Sequence, residues 1–178
     1  MGDVNTIYLA GGCFWGIEHL MKALPGVVDT AAGYANGTGE VDADYRTVCT
    51  GKTGFRETVR VRYDPARTSV DALLYALFHV IEPEAVNRQG ADVGTQYQAG
   101  IYWLPGDGAT EADVRRVCDV ERARHAGFAV EVKPLENFFE AEEYHQDYLD
   151  KNPDGYCHVP KTTIAQLAAT PFDEVYYR

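Results

Sequence analysis

Residues 57–63 alternate strictly, with Glu57, Val59, Val61 and Tyr63 on one face and Thr58, Arg60 and Arg62 on the other. A side-chain period of two belongs to a β-strand, so a strand with one apolar face lies here and needs a cover for that face. Neighbouring segments offer it at a helical period. Ile17, Leu20, Met21 and Leu24 recur until Pro25-Gly26, and Val70, Leu73, Leu74, Leu77, Phe78 and Ile81 form a second stripe, capped near Thr68 or Ser69 and ended by Pro83. Further strands are expected over residues 6–10, 27–34 and 100–104 and around Val130 and Val132. Thr110 with Asp113 opens another helix, carrying Val114, Val117 and Cys118 inward, and residues 140–148 read as a short helix. Residues 45–54 and 87–98 read as loops, and beyond Asn152-Pro153-Asp154-Gly155 the periodicity fades into a tail holding Cys157. Strands alternating with helices, without a Gly-x-Gly-x-x-Gly motif, predict an α/β or α+β sandwich with helices packed on a mixed sheet.

A chain of 178 residues is long enough for one domain with a real core and too short for two ordinary ones. Sixteen basic against twenty-seven acidic residues, a net charge of −11, argue against a nucleic-acid or anionic-membrane surface. No apolar run approaches the roughly 20 residues of a membrane helix. Residues 1–6 lack a basic region and a long apolar stretch, so no signal peptide is recognised and a cytoplasmic location is expected. Gly2 with Thr6 fits the loose myristoylation pattern, but acidic Asp3 and the lack of a basic cluster argue against lipidation. Cys13, Cys49, Cys118 and Cys157 are widely spaced and form no Cys-x-x-Cys. That spacing fits neither a disulfide-dense scaffold nor a zinc ribbon and leaves room for a chemically active thiol.

Cys13 follows Gly11-Gly12 where strand becomes helix. Free backbone N–H groups and the helix dipole favour an anion there, so a thiolate would be stabilised; the alternative is a small buried hydrophobe. Phe14 and Trp15 lie beside it and fit the inward stripe imperfectly, either lining an apolar pocket or serving as ordinary core or surface aromatics. Glu57 shares its face with Val59, Val61 and Tyr63. Desolvation there would raise its pKa and let it hold a proton as a general acid, unless it turns to solvent or pairs with Arg56 or Arg60. The five histidines make no metal-ligand spacing and read as surface or helix-face residues, although a Cys13–His dyad of the thiol-hydrolase type stays open.

The segment Gly11-Gly12-Cys13-Phe14-Trp15-Gly16 resembles the A-type peptide methionine sulfoxide reductases. So do Gly33-Tyr34-Ala35, Tyr45-Arg46 with Val48-Cys49-Thr50-Gly51, Glu57 before Val-Arg-Val-Arg-Tyr-Asp-Pro, Asn87-Arg88-Gln89-Gly90 with Asp92-Val93-Gly94-Thr95-Gln96-Tyr97, and His145-Gln146-Asp147-Tyr148-Leu149, all in the family's order. The resemblance implies a two-layer sandwich related to the ferredoxin-like plait; length and the lack of a domain boundary predict one catalytic domain over 1–178, with 152–178 as its tail. The resemblance also implies that Cys13 attacks methionine S-sulfoxide, that Phe14 and Trp15 hold the S-methyl group, and that Glu57 is the acid. Tyr45 and Tyr97 would donate to the sulfoxide oxygen while Asp92 shapes the site. Cys157 resembles the resolving cysteine, and no cysteine follows it, which implies a two-cysteine cycle recycled by thioredoxin or a similar dithiol. The substrates would be free methionine sulfoxide or proteins containing it. No metal or organic cofactor is implied, and a monomer is expected. Phe55-Arg56 departs from the His-Ala usual before the acid, which puts the tuning of Glu57 in doubt. Cys49 and Cys118 read as structural. A thiol hydrolase and a sulfoxide-binding module without turnover are the competing readings.

Overall fold

The structure, a computed structural model, describes residues 3–178; the Gly2 acylation pattern therefore lies outside the described residues. The described residues form eight strands: β1 (Asn5–Ala10), β2 (Val27–Ala35), β3 (Arg56–Tyr63), β4 (Arg88–Gln89), β5 (Asp92–Val93), β6 (Gly100–Trp103), β7 (Glu131–Pro134) and β8 (Phe138–Glu140). The helices are α1 (Phe14–Ala23), α2 (Tyr45–Val48), α3 (Val70–Phe78), α4 (Gly108–Arg124), α5 (Tyr148–Lys151) and α6 (Lys161–Ala169). Six strands form one mixed sheet in the order β7-β6-β1-β3-β2-β8, parallel at β6–β7 and antiparallel elsewhere, and β4–β5 is a separate hairpin.

The period-two reading of β3 holds. Val59 and Val61 on β3 join Ile7 and Leu9 on β1 in a core closed by Ile17, Leu20 and Met21 of α1, Leu73, Leu74 and Leu77 of α3, and Val114 and Val117 of α4. Each such side chain contributes about 1.5–3 kcal/mol on full burial. The opposite face carries a smaller cluster, Tyr8, Ala10, Ala35 and Tyr102, covered by Leu135 and Phe138.

Several boundaries differ from the sequence reading. α3 starts at its Ser69 cap, whose hydroxyl accepts from the Ala72 amide, but ends at Phe78, five residues before Pro83. α4 begins at Gly108 rather than at Thr110, because the Asp107 carboxylate accepts the Thr110 amide and so caps the helix itself. The segment 45–54 contains the short helix α2, capped by Asp44. No single helix covers 140–148: β8 pairs with β2, a 3₁₀ turn follows at Glu143–His145, and Asp147 takes φ +52° before α5. Gln146 is withdrawn from any helix there, since its amide both accepts from Ala32 N–H and donates to Ala32 and Ala141 carbonyls. The tail holds α6, which buries only Ile164 among its nine residues; so narrow an apolar contact leaves little periodic signal.

Candidate active site

β1 runs into the Gly11-Gly12 turn, where Gly12 adopts φ +89°, a left-handed conformation that suits glycine. Cys13 then occupies the N-cap of α1 and is 8% exposed. β3 pairs with β1 through Leu9–Val59; two residues further along, Glu57 lies beside the turn. Glu57 is 1% exposed, and its Oε2 accepts the Phe14 backbone N–H at 3.0 Å. Strand parity and helix start thus bring a carboxyl and a thiol to one buried spot. The alternative partners for Glu57 are otherwise engaged: Arg56 binds Glu131 on the opposite face at 2.8 Å, and Arg60 pairs with Glu140 and Asp29. Arg56 therefore leaves the environment of Glu57 largely untouched.

Burial pushes the Glu57 pKa up to about 8, helped by the negative charge of Asp92 and opposed by the Phe14 amide. The carboxyl is mostly protonated at neutral pH, and with Oε2 accepting from Phe14, Oε1 is left to carry the proton. Cys13 departs from the expectation of a stabilised thiolate. The Trp15 backbone amide does favour the anion, as a helix start should, but burial outweighs it and raises the thiol, and the charge of Asp92, joined by that of Glu57 once it ionises, raises it further. The two groups are thus disposed to rest as a thiol and a carboxylic acid.

Tyr45, on the first residue of α2, and Tyr97, closing a 3₁₀ turn after β5, flank this pair. Burial raises both phenols, and each feels Glu57 and Cys13. Both therefore stay protonated donors. Asp92, on β5, influences Cys13, Glu57 and Tyr97 and accepts the Tyr156 hydroxyl at 3.0 Å. Phe14 is fully buried and packs in the core, one of the two positions that its spacing allowed. Trp15 is half-buried, stacks on Tyr148 at 3.6 Å and donates its indole N–H to His145 Nδ1 at 3.0 Å. Cys157 comes to the same end of α1: its sulfur lies 3.3 Å from where a Cβ on Gly16 would be. Its thiol donates to the Val159 carbonyl.

All eight residues singled out in the sequence are therefore neighbours. Two more around them had no role assigned. His145, expected at a surface or helix face, is instead 1% exposed because it packs against Phe14, Trp15 and Tyr45, and that burial lowers its pKa and favours the neutral ring. Glu142 accepts from the Tyr34 hydroxyl and from the Tyr45 amide, holding α2 against β2. The His145-Gln146-Asp147-Tyr148 motif contained part of this signal, but its lack of periodicity hid the contacts. Cys118 is buried in the core, as expected, whereas Cys49 is exposed and sits beside the Tyr45 hydroxyl at the rim.

A buried thiol beside a carboxyl of raised pKa and two phenols defines a thiol-bearing site with proton donors turned toward a common spot. The profile of the peptide methionine sulfoxide reductase family matches residues 5–174, and the chain belongs to that family. It is an oxidoreductase that reduces methionine sulfoxide, which sets aside the hydrolase and binding-module readings. The peptide methionine sulfoxide reductase MsrA of Clostridium acetobutylicum is 45% identical over 165 residues, covering 90% of this chain and 98% of its own. Methionine sulfoxide reductase A of Corynebacterium diphtheriae superposes with a TM-score of 0.81 at 34% identity, covering 89% of this chain and 84% of the other. Reduced Mxr1 from Saccharomyces cerevisiae gives 0.79 at 36%, covering 88% and 92%. Mxr1 in complex with Trx2 shares the fold, with a TM-score of 0.56 at 23% identity over 83% and 88%. Among the described residues no helix is long and apolar enough to cross a membrane.

Proposed function

We propose that this chain reduces the S epimer of methionine sulfoxide, free or in polypeptides, through a Cys13 sulfenic acid and a Cys13–Cys157 disulfide. The observation that carries the reading is the Glu57 carboxyl, buried beside Cys13, hydrogen-bonded to the Phe14 amide and pushed by burial up to about 8. Cys13 Sγ attacks the sulfoxide sulfur while Glu57 protonates the oxygen, and Tyr45 and Tyr97 donate to that oxygen as charge develops. Phe14 and Trp15 bound the S-methyl group, and Asp92 helps shape the site. The oxygen passes to Cys13 as S–OH, methionine leaves, and the Cys13 thiol proton restores Glu57. Cys157 then attacks Cys13 Sγ, the S–O bond breaks, and water departs with the Cys157 proton. A dithiol such as thioredoxin returns both cysteines to thiols and is itself oxidised to a disulfide. The structure of Mxr1 with Trx2 supports that choice of reductant, and a reducing cytoplasm suits such a cycle. The described chain works as one catalytic domain with 152–178 as its resolving tail. The β6-β1-β3-β2 order of the central strands supports a relation to the ferredoxin-like plait.

Cys157→Ser tests the order of steps. It should release about one equivalent of methionine per enzyme in a single turnover, keep a sulfenic acid on Cys13 that dimedone traps, and stall with thioredoxin. A full cycle with thioredoxin in this variant would show that Cys49, Cys118 or direct attack by the reductant does the resolving.

A further inference from the structure

Gly16 stands inside α1 with no left-handed φ to justify it, and glycine is a poor helix former. Its use lies in the space it leaves. A Cβ there would come within 3.0 Å of His158 Cε1 and Nδ1 and 3.3 Å of Cys157 Sγ. Gly12, across the turn, would bring a Cβ within 3.3 Å of His158 Nε2. The imidazole of His158 thus fills a notch between two glycines of the Gly11-Gly12-Cys13-Phe14-Trp15-Gly16 motif, and its Nε2 lies 2.9 Å from the Gly11 carbonyl. A carbonyl only accepts, so Nε2 carries the hydrogen, and the buried Nδ1 has no partner among the described residues. A second strut lies one residue before Cys157, where Tyr156 donates to Asp92.

The geometry points to a clasp: His158, bonded to Gly11 in the notch left by Gly12 and Gly16, is a positioning residue that holds Cys157 against the helix start bearing Cys13. The inference rests on the disulfide cycle proposed above and concerns only its second step. Without the clasp the tail is a tethered but wandering thiol, and disulfide formation loses the advantage of a preset approach. The first step, which needs Cys13 and Glu57, is unaffected.

Stopped-flow single turnovers with methionine S-sulfoxide separate methionine release from disulfide formation in the intact chain. His158→Ala should slow disulfide formation about tenfold or more and let the dimedone-reactive sulfenic acid accumulate, with methionine release within about twofold of wild type. Gly16→Ala should do the same, although alanine favours the helix, because its methyl fills the notch. His158→Gln, whose amide N–H reaches the Gly11 carbonyl, should restore disulfide formation to within about threefold of wild type. The clasp is overturned if His158→Ala or Gly16→Ala forms the disulfide at the wild-type rate, if His158→Gln is as slow as His158→Ala, or if His158→Ala loses methionine release as well. A wild-type chain that releases methionine without ever linking Cys157 would instead remove the cycle itself.

Discussion

Cys13→Ser should reduce methionine sulfoxide at least about 10⁴-fold more slowly than wild type, even with excess dithiothreitol, since a serine hydroxyl cannot replace a thiol as nucleophile toward sulfur. The loss will not be a folding defect. Serine is a preferred N-cap residue, its oxygen accepting N–H bonds from the first helical turn, and Cys13 occupies that cap position on α1. The melting temperature should therefore equal or exceed that of wild type. Methionine release at an unchanged rate by a folded Cys13→Ser protein would overturn the assignment of the nucleophile.

Glu57→Gln separates the proton from the shape. The amide oxygen still accepts the Phe14 N–H that Glu57 Oε2 accepts now, so binding should survive while the sulfoxide step slows by about 10²–10⁴-fold for want of a general acid. The same residue sets a pH dependence. Glu57 titrates near 8 in the fold against an ordinary 4.5, so the folded chain holds a proton that the unfolded chain has released. The resulting stability is fully present below 4.5 and is lost as pH rises toward 8, by about 1.4 kcal/mol per pH unit. Glu57→Gln should therefore lose less stability than wild type between pH 5 and 8 in denaturant titrations. The wild-type sulfoxide step should also fall as Glu57 ionises above pH 8. An unchanged single-turnover rate in Glu57→Gln would remove Glu57 from the acid role.

Parity and punctuation carried the sequence reading as far as they reach. The face of Glu57 is legible because a strand alternates, but its burial is not, since a residue at the strand start can equally turn to solvent; the structure places it 1% exposed beside Val59 and Val61. Cys13 was legible because two glycines mark the end of β1 just before a helical stripe. The thiol's environment was not legible: a helix-end argument sees the Trp15 amide, whereas the dominant burial comes from elements distant in the chain. His145 escaped for a similar reason, since its partner Trp15 lies 130 residues earlier. α6 and the breaks at 140–148 were hidden because one rests on a single buried residue and the others on side chains bonding to β2. His158 needed two glycines 142 or more residues away to have any meaning.

The most direct test of the central claim is the intact mass of wild-type protein after one equivalent of methionine S-sulfoxide, with no external reductant and with released methionine measured alongside. The cycle predicts one methionine per chain, loss of two hydrogens, and a peptide map joining Cys13 to Cys157. Methionine release without that loss of mass, or a disulfide joining Cys13 to Cys49 or Cys118, would contradict it.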